Sequence, residues 1–288
     1  MSANPDRPAK ERPRLSRVIF WISLVVFIVC VAALAVIGLS YWQGQNKYNE
    51  ISELALDVDD VQAKSLADIT VDWDSLLEIN PDTVAWIYVP ETSINYPVVQ
   101  TDNNQKYLKT DFQGETNWIV SDGAVFLDAE CDAKFGSQNS FLYGHNMNDG
   151  SMFHDLVNFA NDDYFNEHRT IYLFTPQGNY RLTSFALLHV SASDALVEPD
   201  CGSAEQQAAY IQDKLNRSVV SPAGTLPATS EIAQTIELVT CDNLASNGRY
   251  VLYAYVAEST VSGVHGLEAA TTLDSDLLQN VQSGVAGV

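Results

Sequence analysis

An uninterrupted apolar run near the N-terminus constrains this chain more than any other feature. From Val18 to Trp42 the sequence reads VIFWISLVVFIVCVAALAVIGLSYW and contains no charged residue. At 1.5 Å per helical residue, the run is long enough to cross a hydrocarbon layer of about 30 Å. A cleaved signal peptide is the alternative, but its apolar part is usually only about 7–15 residues long. The run therefore predicts a transmembrane helix over residues 18–42.

The charges on either side of this run predict its orientation. Residues 1–17 contain the basic side chains Arg7, Lys10, Arg12, Arg14 and Arg17. Just after the run, Lys47 is outnumbered by the acids Glu50, Glu53 and Asp57. Because basic flanks favour the cytoplasmic side, residues 1–17 are predicted to be cytoplasmic. The rest of the chain is then outside a cell membrane that it crosses once.

The acidic composition excludes one class of partner. The formal net charge is -22 at pH 7. A protein that binds nucleic acid needs a basic surface to displace the counterions of the phosphates, and no basic cluster follows the N-terminal segment. We therefore expect no nucleic-acid partner, and we interpret the acidic surface as one that keeps an exposed domain soluble.

The four cysteines do not form a metal or dithiol motif. They are Cys30, Cys131, Cys201 and Cys241, and no two are close enough in sequence for a CxxC pair. No two histidines have metal-ligand spacing either, so we predict neither a metal nor a cofactor. Cys131 and Cys201 are compatible with a disulfide in an extracellular domain, but sequence does not show their geometry, and the pairing stays open.

Hydrophobic periodicity divides the rest of the chain into three parts. Residues 43–79 have apolar positions at spacings typical of amphipathic helices and are predicted to form a stalk. Residues 80–257 contain many short β-like runs, which favour a barrel or sandwich. Residues 258–288 are rich in small and acidic residues and are predicted to be a flexible tail. The clearest β-like runs are TVAWIYVP, INYPVVQ, AVFLD, SFLYGH, TIYLFT, YRLTSFALLHV, TIELVTC and RYVLYAYVA.

Cys241 and Arg249 are the first candidates for chemistry. Cys241 ends the run TIELVTC, and Arg249 begins the next run after a polar loop. A hairpin would place the two side by side, where a guanidinium stabilises a thiolate or a developing oxyanion. A buried structural cysteine beside a solvated arginine is the alternative interpretation.

His145 is the third candidate. It follows Gly144 at the end of the run SFLYGH, and glycine would allow a sharp turn that leaves the imidazole at a strand end. With an unperturbed pKa of about 6.5, an imidazole exchanges protons with a thiol or an amine near neutral pH. An ordinary surface histidine is the alternative.

These segments together resemble class B sortases, the membrane-anchored cysteine transpeptidases of Gram-positive bacteria. The order YGHNM, GSMF, a TC-containing strand and arginine is more specific than any one of these motifs. The resemblance covers most of the chain, in NPDTVAWIYVPETSINYPVVQTDNNQKYL (80–108), AVFLD (124–128), YGHNMNDGSMFHDL (143–156), AEQQAAYIQDKL (204–215), LVTC (238–241) and Arg249.

The resemblance implies a fold and an activity. The expected fold is mainly β, a closed sortase-type β-barrel with N-terminal helices and a helix-containing insertion before the cysteine strand. Cys241 would attack the carbonyl after the threonine of a C-terminal sorting motif, His145 would protonate the departing amine, and Arg249 would stabilise the oxyanion. The acyl group would pass to an amine of a peptidoglycan precursor or cross-bridge, which anchors a surface protein to the cell wall.

The resemblance also implies residues that bind the sorting peptide. They are Asn104, Leu108, Tyr210, Ile211, Val239 and Thr240. The chain departs from some relatives at Asn243, where they have an acid, although Asp242 supplies an acid next to it.

Three alternative functions are kept. A hydrolytic cysteine peptidase of the papain type places cysteine before histidine, whereas here His145 precedes Cys241. A pilin-polymerising sortase would use the same residues on another acceptor. A non-catalytic surface module would leave Cys241 unreactive, which alkylation tests directly.

Overall fold

The apolar run lies in one long helix that continues into the folded domain. The computed structural model describes residues 13–117, 119–120, 123–244, 247–264 and 267. Helix α1 spans Pro13–Ala55, and its most apolar stretch has no buried residue. By length and composition this helix is able to cross a membrane. The predicted boundary between residues 42 and 43 is not a break, because α1 passes through it without interruption.

The C-terminal part of α1 is docked on the domain. Ile51 and Ala55 are buried, and so is the ring of Tyr48, which packs edge-on against Tyr96 with 5.2 Å between centroids. Lys47 forms an ion pair with Asp111 at 3.2 Å. Apolar burial of this kind contributes about 1.5–3 kcal/mol for each large side chain, so the helix is packed against the domain rather than merely connected to it.

Two short helices complete the N-terminal extension. Helix α2 spans Val58–Ala63, and helix α3 spans Trp73–Ile79. Asp57 and Asp72 cap them by accepting hydrogen bonds from backbone N–H groups of their first turns.

Eight strands form a closed barrel in the order β1-β2-β3-β4-β7-β8-β6-β5, and β5 pairs back with β1. This confirms the mainly β, closed barrel predicted from the sequence. The strands are β1 (Thr83–Tyr88), β2 (Asn95–Val99), β3 (Val125–Leu127), β4 (Asn139–Tyr143), β5 (Thr170–Thr175), β6 (Gly178–Ser191), β7 (Thr235–Cys241) and β8 (Gly248–Ser259).

Two strand pairs are parallel, and one of them positions the candidate site. β2 pairs parallel with β3, and β4 pairs parallel with β7. The other pairs are antiparallel, including the long pair of β6 with β8. Because β4 and β7 run in the same direction, their C-terminal ends, Tyr143 and Cys241, lie at the same rim of the barrel.

The hydrophobic core contains large side chains from several strands. Trp86, Phe141, Tyr180 and Tyr253 come from four different strands and are almost completely buried. Short side chains would leave cavities in such an interior, at a cost of about 3–5 kcal/mol for an aromatic residue replaced by alanine. The core therefore gives the rim a rigid base.

Helices occur in two of the connections between strands, one of which is the insertion expected before the cysteine strand. Helix α4 (Asp162–Glu167) follows a 3₁₀ helix at His154–Ala160, between β4 and β5. Helix α5 (Ala204–Arg217) lies between β6 and β7. Ser203 and Gln206 form a capping box that fixes the start of α5.

The chain ends fall mostly outside the described residues. The predicted cytoplasmic segment, residues 1–17, is described only from residue 13 onward. The predicted tail, residues 258–288, overlaps the end of β8 at Ser259 and is otherwise described only at 260–264 and 267.

Candidate active site

The hairpin of β7 and β8 places a thiol and a guanidinium on neighbouring strands. The strands are antiparallel, and Cys241 lies directly opposite Arg249 in the register. Residues 235–240 are buried, whereas Cys241 is exposed and Arg249 is half-buried. The backbone pairing of the hairpin therefore sets the relative position of these two residues.

The turn of this hairpin begins directly after the thiol. Asn243 and Asn247 have positive φ values of 56° and 52°, a region that asparagine tolerates better than most residues. The N–H of Asp242 donates to the carbonyl of Gly248 at 3.0 Å and closes the hairpin. A side chain at Gly248 would collide with the Asp242 carboxylate, because an added Cβ would lie 2.4 Å from its Oδ2.

His145 reaches the same rim through the end of β4. Tyr143 pairs with Val239 in parallel register. Beyond the strand, the N–H of Gly144 donates to the Val239 carbonyl at 3.1 Å, and the Thr240 hydroxyl donates to the Gly144 carbonyl at 2.8 Å. His145 therefore follows a residue that is bonded on both sides to the cysteine strand.

Gly144 is required for a reason that the sequence did not indicate. The prediction was a sharp turn, but Gly144 is not among the described glycines with positive φ. Its Cα instead packs on the ring of Phe153, and an added Cβ would lie 2.5 Å from that ring. The glycine permits close packing beneath the histidine.

One nitrogen of the His145 imidazole is held by a backbone carbonyl group. Its Nε2 lies 2.9 Å from the carbonyl oxygen of Leu108. Because a carbonyl oxygen only accepts, this bond places the proton on Nε2, and in the neutral ring Nδ1 is then the atom with a free lone pair. The ring also touches Gly123, where an added Cβ would lie 3.0 Å from both Cδ2 and Nε2.

One cleft of about 90 Å³ brings the three candidate residues together. Its lining residues are Leu108, Ala124, Phe126, Tyr143, Gly144, His145, Val239, Thr240, Cys241 and Arg249. A larger cavity of about 250 Å³ lies between α1 and the β1–β2 loop, but its lining contains no cysteine, histidine or arginine. Of these two cavities, the smaller one combines a cysteine, a histidine and an arginine with apolar walls.

A buried carboxylate lies behind the cleft. Asp128 is 2% exposed and accepts a hydrogen bond from the Asn104 amide at 2.9 Å. Burial raises the pKa of Tyr143, the Asp128 charge and hydrogen bond raise it further, and the Arg249 charge acts in the opposite direction. Asn104 therefore supports the rim through Asp128 and does not line the cleft.

The loops after β4 and β7 are cross-linked behind the thiol. The Asn146 amide donates to the Cys241 carbonyl at 3.0 Å, and the Asn243 amide donates to the Asn146 carbonyl at 2.6 Å. His154 Nδ1 lies 2.8 Å from the Asn146 side-chain oxygen. These bonds fix the loop that carries His145 relative to the cysteine.

The acid next to the cysteine faces another histidine. Asp242 Oδ2 lies 2.9 Å from Nε2 of His189, whose ring stacks on Tyr250. In this arrangement Asp242 supports the hairpin from β6 rather than orienting His145.

The two other cysteines of the barrel are unsuited to nucleophilic attack. Cys131 and Cys201 are buried free thiols on either side of Asn139, whose carbonyl and amide contact them. Burial raises the pKa of Cys131 to about 12 and also raises the pKa of Cys201. Among the described residues, no group of three or more His, Cys, Asp or Glu side chains is arranged to hold a metal ion.

Besides Asn104, two more of the predicted peptide-binding residues lie away from the cleft. Tyr210 and Ile211 of α5 are buried, and the Tyr210 ring lies beside Tyr253 and beneath the Lys214 ammonium, 4.1 Å from its centroid. Neither lines the cleft. Contact of these two residues with a peptide stays a prediction.

Sequence reasoning missed several residues that shape this site. Gly123, Asp128 and Asn146 act through contacts with chain segments distant in sequence, which no local pattern indicates. Asn146 and Asp128 did have a signal, since they stand in the YGHNM and AVFLD motifs.

The comparisons with known proteins identify the family of this fold. Residues 87–257, more than half of the chain, match the family model of the sortase domain. A protein named Sortase B from Listeria monocytogenes is 28% identical over 227 residues, which cover 77% of this chain and 88% of the relative. A Sortase B from Staphylococcus aureus is 24% identical over 233 residues, which cover 81% and 93%.

Solved structures of class B sortases have a similar fold. The sortase B of Bacillus anthracis in complex with AAEK1 superposes with a TM-score of 0.63 and 26% identity, covering 76% of this chain and 98% of that one. The sortase B of Clostridium perfringens superposes with a TM-score of 0.58 and 28% identity, covering 63% and 97%.

Proposed function

This chain belongs to the sortase family, whose members are cysteine transpeptidases, and we propose that Cys241, His145 and Arg249 are its reactive residues. One observation carries the proposal: these three side chains line a single cleft at the rim of the barrel, although up to 104 positions separate them in the sequence. Two of them are fixed by strand register and the third by contacts around its ring.

The first half of the proposed reaction forms an acyl-enzyme. The Cys241 sulfur attacks the carbonyl carbon after the threonine of a sorting motif, and a C–S bond forms. As the sulfur attacks, His145 takes the proton of the Cys241 thiol. The C–N bond of the peptide then breaks, and His145 gives this proton to the departing amine. The Leu108 carbonyl holds Nε2, so Nδ1 is the nitrogen that transfers this proton.

The second half transfers the acyl group. An amine of a cell-wall peptide attacks the thioester, a new amide bond forms, and the C–S bond breaks. His145 accepts the proton that the amine loses, and the cysteine returns to its starting state. Transfer anchors the cleaved protein to the wall.

Arg249 stabilises the negative oxygen in both halves. The guanidinium is permanently charged and carries several N–H donors, which suits it to a developing oxyanion. Its place opposite Cys241 in the register keeps it near the reacting carbonyl. Loss of one such donor typically costs about 3–4 kcal/mol of transition-state stabilisation.

The cleft walls suggest how the peptide is held. Leu108, Val239 and Thr240 line the cleft, as predicted peptide contacts would. The volume of about 90 Å³ suits one aliphatic side chain better than an aromatic one. We propose that a sorting-motif side chain next to the cleaved bond packs there.

The membrane topology is also part of the proposal. Helix α1 anchors the protein in the cell membrane, with residues 1–17 in the cytoplasm and the barrel outside. The apolar length of α1 and the basic residues that precede it support this orientation.

A peptide-library experiment tests the function. The full-length protein in detergent micelles is incubated with sorting-motif peptides, and mass spectrometry identifies the modified residue. We expect a thioester on Cys241, which Cys241→Ala abolishes together with peptide cleavage, because no other described thiol lines the cleft. Cys201→Ala is the matched control and should retain cleavage.

The products separate transfer from hydrolysis. With hydroxylamine present, a transpeptidase yields the hydroxamate of the peptide, whereas a hydrolytic peptidase yields mainly the free acid. Cleavage that persists in Cys241→Ala would refute the proposed function.

A further inference from the structure

Helix α1 reaches the surroundings of His145 through one buried tyrosine. The Tyr48 hydroxyl donates to the carbonyl of Gly123 at 2.8 Å and accepts from the N–H of Phe112 at 3.2 Å. Tyr48 is 7% exposed, so both bonds are shielded from water. A single side chain of α1 thus binds two segments of the domain that are distant from it in sequence.

These two segments form the wall against which the His145 ring rests. We define the histidine wall as residues 107–112 and 123–124. The N–H of Ala124 donates to the Tyr107 carbonyl at 3.0 Å, which joins the two halves. Leu108 supplies the carbonyl that binds His145 Nε2, and Gly123 touches the ring itself.

The histidine wall has little room for adjustment near the ring. Gly123 has a φ of 55°, and an added Cβ would lie 2.7 Å from the Tyr107 carbonyl oxygen. The same Cβ would lie 3.0 Å from two atoms of the imidazole. A side chain at position 123 would therefore displace either the Tyr107 carbonyl or the imidazole.

We propose that Tyr48 is a positioning residue, which sets the orientation of the His145 imidazole by fixing both halves of the histidine wall. The inference rests on the proposed role of His145. Tyr48 does not line the cleft, so it acts on the histidine and not on the peptide. The ion pairs of its neighbour Lys47 with Asp111 and Glu115 hold the same part of the chain from the surface.

The proposal gives the N-terminal helix a second role. The helix that contains the apolar segment also carries the tyrosine that positions the proton-transfer residue. An ordinary tether would have no influence on the chemistry at the barrel rim.

Tyr48→Phe tests the proposal, with Ser52→Ala as the matched control. Both changes remove hydrogen bonds between α1 and the domain, but Ser52 contacts Asn95 of β2, at 2.6 Å, and not the histidine wall. Full-length proteins in micelles are compared on the peptide that the wild-type protein cleaves fastest. For Tyr48→Phe we expect kcat to fall about tenfold with KM within about twofold, since a misoriented proton-transfer group affects the chemical step. Ser52→Ala should retain the wild-type kcat.

A readout that does not depend on activity separates this proposal from the proposed function. Diethylpyrocarbonate modifies imidazole nitrogens, and mass spectrometry reports the rate at His145. We expect this rate to rise several-fold in Tyr48→Phe and to stay unchanged in Ser52→Ala. If no peptide is cleaved but the rate rises, the proposed function fails and the positioning role stands.

The opposite results overturn the positioning role. The first is that cleavage by the wild-type protein requires His145. The second is that Tyr48→Phe and Ser52→Ala have the same kcat and the same rate of His145 modification. If Tyr48→Phe does not fold, Lys47→Met tests the same connection from the surface. It should lower kcat about two- to threefold, since loss of such a pair typically costs at most about 1 kcal/mol, and an unchanged kcat would overturn the proposal.

Discussion

The two sides of the cleft are built in different ways. On one side, Cys241 and Arg249 are placed by the register of a β-hairpin, in which each residue is fixed by many backbone bonds. On the other side, His145 follows the end of β4 and depends on a few bonds from loops, a 3₁₀ turn and α1. Paired strands move as a unit, whereas loop contacts are lost one at a time. The difference teaches that the orientation of the histidine is the part of the site most sensitive to single substitutions.

The largest expected effect comes from the loop side, at Gly123. Gly123→Ala should lower kcat by about 100-fold, because a misplacement of about 1 Å at a reacting group has that cost. The added methyl would meet the Tyr107 carbonyl at 2.7 Å and the His145 ring at 3.0 Å. Steady-state kinetics of peptide cleavage measures the change.

Gly114→Ala is the matched control for that substitution. Gly114 also has a positive φ, 83°, but nothing lies within 4 Å of an added Cβ. Both variants carry backbone strain of about 1–3 kcal/mol, so both should unfold at a lower temperature, and Gly123→Ala should do so further because of its added contacts. Equal loss of activity in the two variants would show that the histidine side is not unusually sensitive.

The next largest effect is expected on the strand side, where Glu237 makes the free energy of unfolding depend on pH. Glu237 lies on β7 and is completely buried, which raises its pKa to about 8 from an ordinary value of 4.5. The folded state therefore holds this proton more tightly than the unfolded state. The resulting stability is fully present below about pH 4.5 and is lost as the pH rises through 8.

Glu237→Gln should remove this pH dependence. The free energy of unfolding of the wild-type protein should decrease between pH 5 and 8 by at most about 1.4 kcal/mol per pH unit, and the glutamine variant should show a flatter profile. Urea unfolding at several pH values measures it. Identical slopes for the two proteins would mean that Glu237 is ionised in the folded state.

The smallest effect is expected at the bond that joins the two sides. Thr240→Val removes the hydroxyl that donates to the Gly144 carbonyl at 2.8 Å. The backbone bond from Gly144 to Val239 remains, so kcat should fall only about three- to tenfold, in line with about 1 kcal/mol for one hydrogen bond. A loss as large as that of Gly123→Ala would mean that the strand side controls the histidine after all.

The same contrast explains what the sequence predicted. Alternating apolar residues gave β5 and β7 with the observed bounds, and the polar loop between Cys241 and Arg249 predicted their hairpin. Local patterns suffice where neighbouring strands pair. The parallel pair of β4 with β7 has no such local signal, because its partners are about 95 residues apart.

On the histidine side, the run SFLYGH and the resemblance indicated His145 itself, but neither indicated the contacts that hold its ring. The bonds of Tyr48, Leu108 and Asn104 join residues that are 24 to 75 positions apart. Each is a single contact between side chain and backbone or between side chains, which periodicity does not reveal. The sequence pattern also did not indicate that the helix of residues 18–42 continues without a break to Ala55.

The unbroken helix α1 limits how far the barrel can lie from the membrane in the proposed topology. From Gln43 to Ala55 the helix rises roughly 20 Å, at 1.5 Å per residue. A flexible linker of equal length would let the barrel change its distance from the membrane and its orientation, whereas a continuous helix keeps both nearly constant. In the proposed topology, with the apolar part of α1 in a bilayer, the protein would reach only peptides that pass close to the lipid headgroups. Under the proposed function, a secreted protein that has already moved further out would no longer be a substrate.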